Sequence, residues 1–292
     1  MRSGTLANYS GRDLETLASA IADLRPMPAA ALRVLELVDA GESSATELAS
    51  VINSDTALTA SILRLANSAH YGVAREVGTV AEAVVLLGDE TVRSSALGSC
   101  LMATLHGAHN LDEEAFWRYS MMTAIGAELR SGGTRYPPGR AFTAGVLHNI
   151  GLLALDQHRP AELRGSISFA RAVDSSLHEA QLERMGFTDN ELGGALAERW
   201  SLPPDLVEAV RLHRTRRGPR EGSSSLAGLV ARGRELSESA GLSDGVRWSD
   251  LPAKPLPLTW TGESASAALA SGGGVESMRL KADNLVSTAL AA

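Results

Sequence analysis

The most apolar part of the sequence is the stretch AFTAGVLHNIGLLALDQH, residues 141–158. Its composition predicts a single helix, buried on nearly all sides at the centre of the fold. The longest apolar stretch, residues 141–155, is too short to cross a bilayer. His148 and Asn149 stand side by side at its centre, where polar groups are costly unless they are hydrogen-bonded or functional. On residue type alone, His148 is either a hydrogen-bonded core histidine or a ligand.

Helical periodicity extends outward from this stretch, from about residue 11 to residue 239. Ser44 with Glu47, and Thr79 with Glu82, have the spacing of capping boxes, and Ser54 or Asp55 is expected to cap the helix between them. Further helices are predicted at residues 176–186, 189–200, 205–214, 226–240 and 275–290. The last of these could pack on the domain or on a partner.

The composition agrees with an all-α fold. Of the 292 residues 44% are hydrophobic but only 4% are aromatic, so the core is built from Ala, Leu and Val. Such small side chains suit closely packed helices better than a β-sandwich. No segment shows the alternation of a strand.

Charge and cysteine content exclude several classes of protein. A net charge of −7 argues against a general nucleic-acid-binding surface. The lone Cys100 excludes an internal disulfide framework and is expected to be a buried small hydrophobe in a reducing compartment. The first 20 residues lack the apolar core of a signal peptide, which indicates a cytoplasmic protein. Zinc-finger spacing and phosphate-binding glycine loops are absent from the sequence.

Several runs of sequence resemble one known family. The segment GVLHNIG (145–151) resembles the GLLHDIG helix of the HD superfamily, whose adjacent His and Asp ligate a metal for phosphohydrolysis. The other runs resemble the HDOD family, a branch of that superfamily found in bacterial signalling proteins. They are LRPMP (24–28), VINSDTAL (51–58), LRLANSAHYG (63–72), AEAVVLLG (81–88), FWRYS (116–120) and WSLPP (200–204).

The resemblance covers about residues 20–240 and implies the domain organisation. We expect an N-terminal extension at residues 1–19 and a bundle of about five short helices at residues 20–109. A degenerate HD-like helical subdomain follows at residues 110–240. Residues 241–292, rich in Pro, Ala, Ser and Gly, are expected to form a linker and a C-terminal helix outside the match.

The resemblance also locates a vestigial metal pocket. Tyr119 stands where relatives often carry a histidine, Asn149 replaces the Asp of the His-Asp pair, and Asn190 replaces a further histidine. Arg234 aligns with the final Asp of active enzymes, while His148 and His213 are retained. Neutral amides bind hard divalent cations weakly and an arginine repels them, so we expect no bound metal, no cofactor and no catalysis.

For two sets of residues the sequence allows more than one role. The remnant pocket is either a hydrogen-bonded cluster that specifies helix packing or a site that senses a small ligand or nucleotide without cleaving it. The second set is a basic run that is either a solvated loop or a docking site for an acidic partner or for phosphates. This run consists of Arg211, Arg214, Arg216, Arg217 and Arg220.

The resulting functional hypothesis is a non-enzymatic interaction module in bacterial signal transduction. The resemblance implies signalling partners from two-component or cyclic-dinucleotide pathways, with no role for a membrane or nucleic acid and with a homodimer left open. No receiver, GGDEF or EAL domain is recognisable, so partners are expected on other chains. The alternatives are a residual phosphohydrolase or phosphodiesterase and a nucleotide sensor.

Overall fold

A computed structural model of the protein describes residues 11–24, 27–39, 45–68, 76–105, 107–214 and 225–246, residues 258 and 267, and residues 269–290. Within these ranges the chain is helical and contains no strand, which confirms the all-α prediction. The one β-type pairing among them is an isolated antiparallel bridge between Leu111 and Val246. No helix in the described ranges is long and apolar enough to cross a membrane.

Short helices make up both halves of the chain. The first half contains α1 (Gly11–Leu24), α2 (Ala29–Asp39), α3 (Ala45–Asn53), α4 (Thr56–Ala66), α5 (Val80–Leu87) and α6 (Asp89–Thr104). The second half contains α7 (Glu113–Leu129), α8 (Pro138–Leu147), α9 (Ile150–His158), α10 (Pro160–Val173), α11 (Leu177–Met185), α12 (Asp189–Arg199), α13 (Pro204–Leu212), α14 (Leu226–Ser239) and α15 (Gly274–Leu290). The predicted domain boundaries stay predictions, and α1 runs across the first of them.

Local sequence signals explain where several helices begin and end. Asp55 caps α4 by accepting a hydrogen bond from the Leu58 amide. Thr79 and Glu82 form the predicted capping box of α5. Gly88 ends that helix with a φ of +81°, which glycine adopts without strain. Ser44, the other predicted capping serine, lies outside the described residues.

Helix α7 is the centre of the second half and packs against α8, α14 and α15. Its Phe116 and Trp117 are fully buried. Glycines allow its neighbours to approach closely: a Cβ on Gly126 would lie 2.7 Å from the Cα of Gly233 on α14. This close contact places residues of α7 and α14 side by side in the site described below.

The prediction of one helix over residues 141–158 is wrong. The chain forms α8 and α9, separated by a turn at His148 and Asn149, where Asn149 has φ −108° and ψ 12°. The break is stabilised locally because His148 Nδ1 bonds the carbonyl of Gly145, three residues back. Just beyond it, a Cβ on Gly151 would lie 1.9 Å from the carbonyl oxygen of Asp189, so α9 passes directly over the start of α12.

The connection between the halves, residues 109–112, is held by a buried carboxylate; we call these four residues the junction. Asp156 on α9 accepts hydrogen bonds from the amides of His109, Asn110 and Leu111. The side-chain amide of Asn110 donates a further bond of 2.6 Å. Asp156 therefore has donors on both oxygens and fixes the junction against the second half.

The C-terminal helix α15 packs on this chain's own domain. Met278, Ala282, Leu285 and Val286 are its buried residues. They face α7, α6 and α4, so α15 contacts helices of both halves. Asp283 adds an ion pair with Arg118 of α7, at 3.2 Å.

Candidate functional site

Two buried histidines occupy equivalent places at the ends of two helices. His148 follows α8 and His213 follows α13, and each Nδ1 bonds a carbonyl three residues back, Gly145 O at 2.6 Å and Val210 O at 2.8 Å. A carbonyl only accepts, so each Nδ1 carries the proton. In the neutral rings each Nε2 is then a bare acceptor, and neither has a hydrogen-bond partner in the protein.

The histidine rings contact each other and adjoin Tyr119. The ring centroids of His148 and His213 are 4.8 Å apart in an edge-on arrangement, and the Tyr119 ring is 5.8 Å from that of His148. Burial, followed by the charge of Arg234, lowers the pKa of His148 well below its usual value. Burial and the neighbouring His148 and Arg234 do the same to His213. Both rings are therefore neutral at physiological pH.

Arg234 of α14 lies beside this ring cluster. Its Nε donates to the Tyr119 hydroxyl at 3.0 Å, and its Nη1 donates to the carbonyl of His213 at 3.2 Å. Tyr119 in turn donates to Glu238 at 3.2 Å. Burial raises the pKa of Tyr119 to about 12. A guanidinium is thus bonded to two of the predicted pocket positions, and its positive charge is partly balanced by Glu238, 3.4 Å from Nη2.

Arg214 departs from its predicted place in an exposed basic patch, and the prediction is wrong for this residue. Its side chain is 13% exposed, and it donates to Asp244 at 2.6 Å and to Asn149 Oδ1 at 3.2 Å. Burial acts to lower the pKa of Arg214, but the carboxylates of Asp189 and Asp244 raise it above its usual value. Sequence reasoning missed Asp244, which is 30 residues away.

The other members of the predicted patch have different surroundings. Arg211 pairs with Glu198 of α12 at 3.1 Å, with its side chain 37% exposed. Such a pair on the surface contributes little to stability. Arg216, Arg217 and Arg220 lie outside the described residues, so the docking patch stays a prediction that now rests on them and on Arg211.

The start of α12 contributes a carboxylate that sequence reasoning did not select. Asp189 is 1% exposed, neither of its oxygens has a hydrogen-bond partner, and its charge acts on Arg214. Asn190, which was selected, is 3% exposed, and its Oδ1 is also unpartnered. The signal for Asp189 was its position just after Thr188, the capping residue of α12.

The cluster has unused hydrogen-bonding capacity beside an open cleft. Unpartnered acceptors belong to His148, His213, Asp189 and Asn190, and unpartnered donors to Asn149 Nδ2 and Arg214 Nε. Unpartnered buried polar atoms are few in native proteins unless a ligand or water completes them. A cleft of about 710 Å³ adjoins the cluster and is lined by residues 175–179 with Arg214, Arg234 and Asp244.

The donor set does not fit a hydrolytic divalent metal. Two imidazoles remain, but the neighbouring carboxylate position is the amide of Asn149, and Arg234 places a positive charge on the same cluster. In the described part of the chain, no three histidine, cysteine or carboxylate side chains converge as a metal site requires.

Comparison with known proteins places the chain in a family. The HDOD domain profile matches residues 24–216, and the chain belongs to this family. An HDOD domain protein of unknown function from Geobacter sulfurreducens has the same fold, with a TM-score of 0.74 and 22% identity over 94% of this chain and 99% of that one.

Two further relatives extend the comparison. A Shewanella amazonensis structure, provisionally named a phosphohydrolase, is 26% identical with a TM-score of 0.64, over 94% of this chain and 97% of that one. An uncharacterised Treponema pallidum protein is 24% identical over 207 residues, or 68% of this chain. The match covers 39% of the Treponema pallidum protein's length.

Proposed function

We propose that this HDOD protein is a non-catalytic regulatory module that acts in signal transduction through protein contacts. One observation supports this proposal most strongly: Arg234 is bonded to Tyr119 and to the His213 carbonyl, within the cluster where active relatives would hold a metal. A fixed guanidinium next to two neutral imidazoles opposes the entry of a divalent cation. The described part of the helical scaffold is preserved, whereas Tyr119, Asn149, Asn190 and Arg234 stand where the family resemblance places metal ligands.

The principal competing function is metal-dependent phosphohydrolysis, which the provisional name of the Shewanella amazonensis relative suggests. That relative is 26% identical, and function depends on the residues of the site more than on the fold. In this chain Tyr119, Asn149 and Arg234 stand at ligand positions, and none of them is a suitable ligand for the divalent metal that activates water in such enzymes. The chemistry of the site therefore favours a regulatory role.

The expected partners are signalling proteins of two-component or cyclic-dinucleotide pathways, and a second copy of the chain is a further candidate. This part of the proposal rests on family membership and on the net charge of −7, which disfavours nucleic acid. Arg211 and the arginines that follow it provide a candidate contact for an acidic partner.

Affinity capture from the native host tests the proposal. We expect the tagged protein to retain a defined signalling protein, and deletion of the gene to change a signalling phenotype. A variant with Arg211, Arg216, Arg217 and Arg220 changed to Gln tests the basic patch. The control changes four exposed arginines elsewhere to Gln and so matches the loss of charge: Arg33, Arg135, Arg171 and Arg279. Capture of no signalling protein together with normal phenotypes on deletion would contradict the proposal.

Sensing of a nucleotide without cleavage is a second candidate function, favoured by the unpartnered polar atoms beside the 710 Å³ cleft. Cyclic dinucleotides and (p)ppGpp are the probes, and a thermal-shift assay is the measurement. This function predicts a rise in melting temperature that disappears in Asn149→Ala and Asn190→Ala. No shift with any probe, or an equal shift in both variants, would exclude it.

A further inference from the structure

The ion pair between Arg214 and Asp244 joins the site to a separate part of the fold. Its N–O distance is 2.6 Å, and the two side chains are 13% and 17% exposed. The same Arg214 nitrogen donates to Asn149 Oδ1, so the guanidinium spans the polar cluster and the segment after α14. An ion pair shielded to this degree is stronger than a surface pair, and it is sensitive to the loss of either partner.

The segment that carries Asp244 is attached to the junction. Gly245 O accepts a hydrogen bond of 2.9 Å from the amide of Asp112, and Val246 pairs with Leu111. The fit is tight, because Gly245 has a φ of +82° and a Cβ there would lie 2.6 Å from the carbonyl oxygen of Asp112. A movement of Asp244 would therefore displace Gly245 and weaken its hydrogen bond with the Asp112 amide.

The junction has two anchors that differ in kind. Asp156 holds residues 109–111 through direct hydrogen bonds, and none of these four residues lines the cleft. Gly245 and Val246 hold Leu111 and Asp112, and this second anchor begins at Arg214 in the cleft wall. Leu111 belongs to both anchors, so the amide of Asn110 reports on the first anchor and the amide of Asp112 on the second.

The cleft contains the groups that could release the second anchor. Arg214 and Arg234 both line it, with the first turn of α11 opposite. Asp244 offers one carboxylate to one arginine, whereas a phosphate offers three or four oxygens and can bind both guanidiniums. Asp244 already pairs with Arg214, and Glu238 pairs with Arg234 at the longer distance of 3.4 Å, so a phosphate that binds both arginines has to displace Asp244 from Arg214.

We infer that Arg214 and Asp244 form a latch, which a phosphate group opens by binding Arg214 and Arg234 and which thereby loosens the junction between the two halves. The inference rests on the proposed regulatory function, because a latch that responds to phosphate has a use only in a protein that transmits a signal. The phosphate can be a free inorganic ion or the phosphomonoester of a larger molecule. The chemistry at the arginines is the same in both cases.

Amide hydrogen exchange resolved to single residues tests the latch on the full chain. In Asp244→Asn we expect exchange at Asp112 to rise about tenfold or more, while Asn110, whose amide donates to Asp156, keeps its wild-type rate. Glu198→Gln, which breaks the exposed pair with Arg211, is the matched control and leaves both amides unchanged. Wild-type exchange at Asp112 in Asp244→Asn would overturn the latch.

The ligand arm adds inorganic phosphate or guanosine 5′-monophosphate to the wild type and to Arg234→Gln, which keeps the Arg214–Asp244 pair. Saturable acceleration at Asp112 in the wild type, lost in Arg234→Gln, supports the inference. A response to both probes indicates free phosphate, and a response to the nucleotide alone indicates a phosphomonoester. No response, or an equal response in both proteins (an adventitious ion only), would overturn it. Stoichiometric metal or turnover would instead refute the proposed function and leave the latch result standing.

Discussion

Two buried carboxylates in the second half of the molecule, Asp156 and Asp189, have opposite surroundings. Asp156 is 0% exposed and accepts hydrogen bonds from three backbone amides and one side-chain amide. Asp189 is 1% exposed, and neither of its oxygens has a hydrogen-bond partner in the protein. Both side chains are buried from solvent to the same degree, so burial alone does not distinguish their roles.

The difference separates a structural carboxylate from one available for binding. A buried charge that is fully hydrogen-bonded stabilises the fold, whereas an unbonded one costs stability and persists where something else completes it. Asp189 shares this property with His148, His213 and Asn190, all in the same cluster. The comparison thus assigns Asp156 to the architecture of the junction and the cluster to function.

The largest effect is expected from Asp156→Asn, which we predict to lower the free energy of unfolding by about 3 kcal/mol. The new side-chain amide at position 156 offers one acceptor oxygen to the four donors, and its own NH2 group points toward some of them. Urea denaturation measures the change. A loss below about 1 kcal/mol would show that the hydrogen-bonded carboxylate is not structural.

The pH dependence of stability tests the histidine pair. The folded pKa of each ring lies below the unfolded value of 6.5, so below pH 6.5 the unfolded chain binds protons that the folded chain does not. Stability therefore falls as the pH falls from 6.5 toward the folded pKa values, by up to about 1.4 kcal/mol per pH unit for each ring. Urea denaturation between pH 7 and pH 5 measures the slope.

Replacing the rings should flatten this slope. His148→Asn and His213→Asn should each remove part of it, while His109→Asn, which removes an exposed ring at the junction, is the matched control and keeps it. An unchanged slope in both pocket variants would mean that the rings are solvated or charged in the folded protein.

A smaller effect is predicted for Tyr119→Phe. The one polar side-chain atom of Tyr119, its hydroxyl oxygen, is hydrogen-bonded within the cluster. The variant loses the bonds to Arg234 and Glu238 and should lower the free energy of unfolding by about 1 kcal/mol, measured in urea. Tyr136→Phe, which removes a hydroxyl bonded to Arg135 on the surface, is the control and should be nearly neutral. Equal losses of unfolding free energy in the two variants would show that the buried Tyr119 bonds contribute no more to stability than the surface bond of Tyr136.

The smallest effect is predicted for Asp189→Asn, the same substitution as at Asp156. Removing the charge relieves the cost of burying an unbonded carboxylate but also removes its attraction for Arg214, and because these two effects oppose each other we expect a change of less than about 1 kcal/mol in either direction. The two variants are compared side by side in urea. A loss at Asp189 equal to that at Asp156 would erase the distinction between the two carboxylates.

Local signals account for the parts of the fold that the sequence predicts. Asp55, Thr79 with Glu82 and Gly88 act within one turn of the helices that they bound, so their spacing is enough to predict the caps. The single helix over residues 141–158 was wrong because the apolar pattern carries no signal for the turn, which the short-range bond from His148 to Gly145 and the tertiary contact of Gly151 with Asp189 both stabilise. The close passage of Gly151 over Asp189 joins two helices that are far apart in sequence.

Family resemblance predicted part of the site, and non-local pairing supplied the rest. His148, His213, Tyr119 and Arg234 do meet, through ring contacts and the bonds of Arg234. Arg214 was grouped with its basic neighbours in sequence, but its partner Asp244 lies 30 residues away. Asp189 had only a general sequence signal, its place directly after the capping Thr188, and its missing hydrogen bonds became visible only in the structure.

The central claim is that the retained histidines no longer hold a hydrolytic metal, and metal analysis of the protein as purified from cells tests it most directly. The account predicts substoichiometric iron, manganese and zinc, with the same content in His148→Ala and no hydrolysis of phosphodiester substrates by either protein. Stoichiometric iron or manganese, with turnover that is lost in His148→Ala, would contradict the account.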